Sequence, residues 1–237
     1  MKRIAIIAGP CAIESHEQII RIAKKLKDLG VDYLRGGAFK PRTNPDSFQG
    51  LGDKGIEYLL DAKKITGLPI VTELMSIEQV KKYAIDIDII QIGSRNMYNY
   101  ELLKELGKYN KTVLLKRAFS ATYEEWINAS KYINNGKNVI LCERGIRGFD
   151  SNTRNVLDIQ AIPYIKKNTN YKIYIDPSHA AGNNYMIEPM SLASVVAGCD
   201  GLIIEVHDKP EESLCDTNQA IDINQLKRIM NKIKEIK

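Results

Sequence analysis

Cysteine is scarce and scattered in this sequence: Cys11, Cys142, Cys199 and Cys215 are the only four, and no two form a CxxC pair. In a chain of 237 residues that spacing argues against a disulfide framework and for reduced thiols. Long apolar runs are missing as well. The longest, such as "IAIIAGP", fall far short of the roughly 18 residues a spanning helix needs, and "MKRIAIIAG" lacks a full signal-peptide pattern. A cytoplasmic protein with no membrane segment is the default reading. Formal net charge is +5, yet there is no dense basic tract and no basic stretch interleaved with aromatics. That speaks against nucleic acid as a partner and leaves small anions as what the surplus faces. No GxGxxG follows the first strand-like run, and no short ligand pair such as HExxH occurs.

What is present is an ordinary globular balance, 44% hydrophobic and 27% charged residues, in a chain long enough to bury a large core. Eight β-branched runs recur: "RIAIIAG", "VDYLRGG", "LPIVTEL", "IDIIQIGS", "KTVLLKR", "KNVILCERG", "YKIYIDPSH" and "GLIIEVH". Seven amphipathic stretches separate them, beginning with "HEQIIRIAKKLKDLG" and including one over residues 155–167, and "INQLKRIMNKIKEIK" supplies an eighth helix. Gly30, Gly67, Gly107, Gly136 and Gly198 stand where these helices should stop. Eight strand–helix repeats with nearly continuous apolar strands predict a parallel sheet buried on both faces. A closed α/β barrel, the (β/α)8 or TIM barrel, fits residues 1–237 as one unit better than an open doubly wound sheet, which would need the missing glycine-rich turn.

In such a barrel, catalytic side chains come from the carboxyl ends of the strands. Those ends carry Cys11, Arg35 with "FKPRT", Glu73, Arg95, Lys116 and Arg117, Glu143 and Arg144, Asp176 with "PSH", and "EVH". Barrel closure gathers Arg35, Lys40, Arg42, Arg95, Lys116 and Arg144 around one mouth, where they repel one another unless anions neutralise them. The ligands should therefore be polyanionic, and "KPRTNP" looks like a phosphate clamp in which Arg42 and Thr43 both donate. A second set is rich in acceptors: Cys11, His179, Glu205 and Asp216. Thiolate, imidazole and two carboxylates suit a borderline divalent ion such as Mn²⁺, Fe²⁺, Co²⁺ or Zn²⁺, with His207 and Cys215 as rival ligands. Cys142 and Cys199 read as core residues, and His16 as the start of the first helix.

The motifs "AGPC", "LRGGAFKPRTNPDSFQGLG", "IGSRN", "LLKR", "CERGIRGF", "DPSHAAG" and "EVH" followed by "CDTNQ" resemble 3-deoxy-D-arabino-heptulosonate 7-phosphate (DAHP) synthase, in its short class I branch related to the octulosonate phosphate synthases. The resemblance runs from Ile4 to about Ile221. It implies an aldol-like condensation of phosphoenolpyruvate with erythrose 4-phosphate that releases phosphate and opens the shikimate pathway to aromatic amino acids. It also implies a divalent metal on Cys11, His179, Glu205 and Asp216, phosphoenolpyruvate contacts from Arg35, Lys40, Arg95, Lys116 and Arg144, and aldose phosphate contacts from Arg42 and Thr43. Lys40, Cys11 and His179 are the residues it places at the chemistry, with Lys40 helping the metal to polarise the aldehyde. Relatives are usually homodimers or homotetramers, and many carry a regulatory domain. Here the expectation is a bare catalytic barrel without built-in feedback control.

Two departures stand out: "CDTNQ" where the family usually has a Ser-Asp-Gly type of stretch, and Asp208 where a proline is common. Three other readings compete. An octulosonate phosphate synthase would take arabinose 5-phosphate, but its clamp typically reads Lys-Ala-Asn-Arg-Ser, and "KPRT" favours the four-carbon sugar. A Schiff-base aldolase would use Lys116 as nucleophile and leave Cys11 and His179 idle. A non-catalytic phosphate-binding barrel would explain the cations but not the acceptor set.

Overall fold

A strand buried on both faces needs apolar side chains on both, and "AIIAG" supplies them: Ile6, Ile7 and Ala8 are all out of solvent. In the computed structural model, which describes residues 3–236, this strand (β1, Ala5–Gly9) is followed by β2 (Tyr33–Arg35), β3 (Ile70–Glu73), β4 (Ile89–Ile92), β5 (Thr112–Lys116), β6 (Val139–Glu143), β7 (Lys172–Ile175) and β8 (Gly201–Glu205). Every neighbouring pair is parallel, and β1 closes on β8 from Ala5↔Gly201 to Gly9↔Glu205. The expected (β/α)8 barrel is what forms.

Alternation along the strands divides the core in two. Ile7, Val71, Ile89, Leu114, Ile140, Cys142, Tyr174 and Ile203 fill the barrel interior. Ile6, Ala8, Leu34, Ile70, Ile90 and Leu115 point outward to the helices. The helices are α1 (His16–Leu29), α2 (Asp53–Thr66), α3 (Ile77–Tyr83), α4 (Tyr100–Leu106), α5 (Tyr123–Lys131), α6 (Ala161–Asn168), α7 (Pro177–Ala181), α8 (Ile187–Val196) and α9 (Ile223–Glu235). Their starts follow local chemistry: Ser15, Ser76 and Asn99 each accept the N–H three residues on, and Thr122 and Asp222 form reciprocal boxes with Glu125 and Gln225. No helix among the described residues is long and apolar enough to cross a membrane.

Three expectations need correction. There is a ninth helix: α7 begins directly at the end of β7, where Asp176 caps its first turn. The helix expected from residue 155 starts only at Ala161, because Val156 pairs with Ile146 and the Arg154 and Asn155 N–H groups bond to Ala181 and Ala180 carbonyls. Gly107 closes α4 in right-handed conformation, unlike the left-handed Gly30 and Gly67; α5 stops at Lys131 ahead of Asn134 and Asn135, both with positive φ.

Gly9 fixes the spacing of the first two strand ends. Its φ is +149°, and a Cβ there would lie 2.0 Å from the Arg35 carbonyl oxygen. Gly9→Ala is expected to cost at least about 1–3 kcal/mol of strain, which lowers Tm by roughly 2–4 °C per kcal/mol in a chain of this size. Thermal unfolding followed by circular dichroism checks it.

Candidate active site and metal centre

Four acceptor side chains meet at the carboxyl end of the barrel: Cys11 from the turn after β1, His179 from α7, Glu205 at the end of β8 and Asp216 from the loop beyond it. One donor atom from each lies within 4.8 Å of all the others. The Cys11 thiol donates to Asp216 Oδ2 at 3.1 Å, and Gln219 donates to Glu205 Oε2.

His179 is held neutral. Asp176 Oδ1 accepts its backbone N–H at 3.0 Å, and Asp176 Oδ2 lies 2.7 Å from Nδ1. Burial lowers the imidazole pKa to about 4, against the pull of Asp176 and Glu205. Burial opposes ionisation of Asp176 as well, but His179 and Lys116 hold it well below the usual carboxylate range. An ionised carboxylate only accepts, so the ring proton sits on Nδ1 and the Nε2 lone pair faces Glu205 Oε1, 3.1 Å away. That buried oxygen has no aligned donor; Arg35 Nη2 at 3.2 Å is a charge contact only. Two lone pairs at this distance repel unless a cation lies between them. Thiolate, imidazole and two carboxylates are donors for a borderline divalent ion, so the residues fit the metal that the sequence implies.

Cys11 makes the same case. Its hydrogen bond with Cys215, burial and the Glu205 carboxylate push the thiol pKa well up, against Lys40, whose Nζ is 2.9 Å from Sγ. A thiolate here requires more positive charge than Lys40 supplies, which a divalent ion provides. Lys40 is itself kept charged: burial works against it, but Cys11 and Glu205 raise its pKa above the ordinary lysine value.

Beside this group lies a cleft of about 300 Å³, and Arg35, Lys40, Arg42, Thr43, Arg95, Lys116 and Arg144 all line it. Arg35, Lys40, Lys116 and Arg144 are buried, whereas Arg42 and Thr43 lie on the rim. Some cations answer to the chain's own acids: Arg35 to Glu205 at 3.2 Å, Lys116 to Asp176 at 2.6 Å and Arg154 to Asp216 at 3.4 Å. Among the described residues, Arg42, Arg95 and Arg144 have no carboxylate within 4.0 Å. Burial pushes the Arg144 guanidinium pKa down; its Nη2 donates to the His179 carbonyl at 3.0 Å, while its buried Nε has no partner. A desolvated cation of this kind favours an anionic ligand.

Strand register decides which strand-end residues enter the cleft. Lys116 is level with Cys142, whose side chain fills the barrel, so Lys116 and Arg144 face inward while Arg117 and Glu143 face outward. The latter two bond to each other at 2.9 Å, and Arg117 reaches Asp158 at 2.8 Å. Neither rival ligand joins the group of four. His207 lies behind β8, 2.9 Å from Gln18 Nε2 and 3.5 Å from Glu14, and Cys215 packs against Cys11 and Ala12. Cys142 and Cys199 are core residues and His16 opens α1, as read from the sequence. Asp208 is buried and pairs with Arg21.

Several site residues carried no assignment in the sequence. Asp176 stood at a strand end without a role. Arg154 bonds Gln219 Oε1 at 2.8 Å, and Asn155 Nδ2 donates to the His179 carbonyl at 3.1 Å; both come from an irregular loop whose helix-like pattern from Asn155 onward concealed it. Glu73 is buried in the cleft wall, bonded to Gln91 at 3.0 Å. A Cβ on Gly93 would fall 2.2 Å from its Oε1, so the glycine of "IGS" makes room for that carboxylate.

Asp176→Asn places an amide against His179 Nδ1 that can donate to it, which favours the tautomer with the proton on Nε2. The expected result is a roughly 10–100-fold weaker affinity for Mn²⁺ or Co²⁺, read by titration calorimetry on protein that retains the wild-type circular dichroism spectrum.

Comparison with known proteins agrees with this geometry. The family model described as "DAHP synthetase I family" matches residues 1–237. A Thermotoga maritima protein named phospho-2-dehydro-3-deoxyheptonate aldolase is 48% identical over 233 residues, 98% of this chain and 69% of its own length. A Geobacter sulfurreducens 2-dehydro-3-deoxyphosphooctonate aldolase is 30% identical, over 98% of this chain and 92% of its own. The crystal structure of the Thermotoga DAHP synthase superposes with a TM-score of 0.94 at 47% identity, covering 98% of this chain and 69% of that one. The truncated form of the Thermotoga maritima synthase gives 0.90 at 43% identity, covering 98% and 86%. With an end-to-end family match, the same barrel and the strand-end residues already described, this chain belongs to the DAHP synthetase I family.

Proposed function

We propose that this enzyme condenses phosphoenolpyruvate with erythrose 4-phosphate and water to give 3-deoxy-D-arabino-heptulosonate 7-phosphate and phosphate, the first step of the shikimate pathway, and that it depends on a divalent metal. The observation that carries the reading is the juxtaposition, in and beside one cleft, of arginines without carboxylate partners among the described residues and a four-donor group that enters its wall through His179 and Asp216. Residues 1–237 form the catalytic barrel with no regulatory module among them. A homodimer or homotetramer is the proposed assembly, which would cover large side chains standing at the surface such as Tyr98, Tyr100 and Tyr132.

Each residue then has a task. Arg35, Arg95, Lys116 and Arg144 bind and orient the carboxylate and phosphate of phosphoenolpyruvate, Arg by its planar fork and Lys as a point charge. Arg42 and Thr43 on the rim hold the aldose phosphate, which fixes the aldehyde carbon against C3 of the enol. Cys11, His179, Glu205 and Asp216 would hold a Mn²⁺, Fe²⁺, Co²⁺ or Zn²⁺ ion, which when bound supplies Lewis-acid polarisation of the aldehyde. Lys40, kept protonated, places a second positive charge where the aldehyde oxygen gains negative charge as C3 attacks. Water adds at C2, and the C2–O bond to phosphate breaks, releasing inorganic phosphate.

Purified protein supplied with Mn²⁺ and phosphoenolpyruvate should release phosphate with erythrose 4-phosphate and not with arabinose 5-phosphate, lose turnover on chelation and regain it with metal. Turnover with arabinose 5-phosphate alone would instead assign the octulosonate activity named for the more distant relatives. Cys11→Ala should lower kcat by about 100-fold or more, since a bound ion supplies several kcal/mol. Arg42→Ala should raise KM for the aldose phosphate by roughly 10–100-fold while leaving that for phosphoenolpyruvate near wild type.

A further inference from the structure

Three guanidinium groups surround one aromatic ring at the cleft wall. Phe119, in the turn after β5, has Arg144 Cζ 4.6 Å from its ring centroid, Arg147 Cζ at 5.7 Å and Arg95 Cζ at 5.8 Å. Its carbonyl accepts the Arg147 backbone N–H at 2.8 Å, which ties the loop after β6 to the loop after β5. The same ring lines the cleft and also a smaller recess of about 270 Å³ beside Tyr98, Ser120 and Arg147. Ser94 and Arg95 border both spaces with it.

Like charges do not gather without a reason. An acid at the centre of the three arginines would hold them, but it would also neutralise them and compete with any anion entering the cleft. A ring face attracts cations through its quadrupole and carries no net charge. Arg95 and Arg144 are the cleft arginines that meet this ring, and neither has a carboxylate partner among the described residues, whereas Arg35 and Lys116, away from the ring, do. Thr43 fixes Arg95 from the other side, accepting from its Nη2 at 3.1 Å.

We infer that Phe119 is a positioning residue for the anion site: its ring sets Arg95 and Arg144 for the enol phosphate while leaving their charge available. The inference rests on the proposed function, in which these two arginines bind phosphoenolpyruvate.

The test uses metal-loaded enzyme and two kinds of change at one position. Phe119→Leu keeps an apolar side chain and removes the ring face; Phe119→Tyr keeps the face. Leu should raise both KM and calorimetric Kd for phosphoenolpyruvate by about tenfold, with KM for erythrose 4-phosphate within about twofold of wild type, and Tyr should restore both. Should the Leu variant fail to fold, 4-fluoro- and 3,4,5-trifluorophenylalanine at position 119 preserve the shape and progressively deplete the ring face. Affinity for phosphoenolpyruvate should then fall stepwise with fluorine number. Equal losses for both substrates, no loss with Leu, or an affinity indifferent to fluorination would overturn the inference. Wild-type protein that binds no phosphoenolpyruvate would overturn the function proposed above instead, so the two failures are told apart.

Discussion

The carboxylate of Asp176 joins the two halves of the site. Its Oδ1 caps α7 by accepting the His179 N–H, and its Oδ2 lies within hydrogen-bond distance of both His179 Nδ1 and Lys116 Nζ. One side chain thereby sets the tautomer of a candidate metal ligand and anchors a cation of the cleft. Because Asp176 is fully buried, these contacts are made in low dielectric, where they are strong and where the loss of one partner is costly. The proline at position 177 pre-sets the first helical turn that brings His179 round to its acid. The metal pole and the anion pole cannot shift independently of each other.

Charge balance governs the rest of the cleft. Seven cations line its walls alongside Thr43, Arg154 among them, and burial penalises the enclosed ones that lack an opposite charge, as at Arg144. The chain pairs Arg35, Lys116 and Arg154 with its own acids and leaves Lys40 to the Cys11 sulfur and carbonyl, Arg95 to the Thr43 hydroxyl and Arg144 to the His179 carbonyl, the two arginines also meeting the Phe119 ring. The arrangement favours a substrate with two anionic ends over a neutral sugar, since only the former completes the balance. It also makes the empty cleft electrostatically unfavourable, a condition that binding relieves.

Much of this was legible in the sequence because it rests on periodicity and strand order. Each of the eight apolar runs became a strand, and the residues at their ends converged as closure requires. What escaped detection depends on long-range contacts. The pairs Lys116–Arg117 and Glu143–Arg144 look alike in one dimension, yet one enters by its first member and the other by its second, because β5 and β6 are paired Lys116↔Cys142. The five residues of α7 are too few to show a helical period, although Asp176 and Pro177 are a start signal that can be read. Residues 155–160 carry a helix-like pattern, but bonds to Ala180, Ala181 and Ile146 outweigh it. Phe119 had no reason to be singled out, since nothing in its neighbours reveals that three arginines from two other loops share its ring.

The seam between β1 and β8 has a consequence for synthesis. Cys11 and Asp216, whose side chains touch, are separated by 205 positions, and Glu205 pairs with Gly9 across the closing ladder. Chains emerge from the ribosome amino end first, so Cys11 is available early while its three partners in the group, His179, Glu205 and Asp216, arrive only with the last strands. The four donors therefore come together only when the ring of strands has closed. An ion held by them would fasten the two ends of the sheet to each other like a clasp, so its loading would follow closure of the barrel rather than lead it.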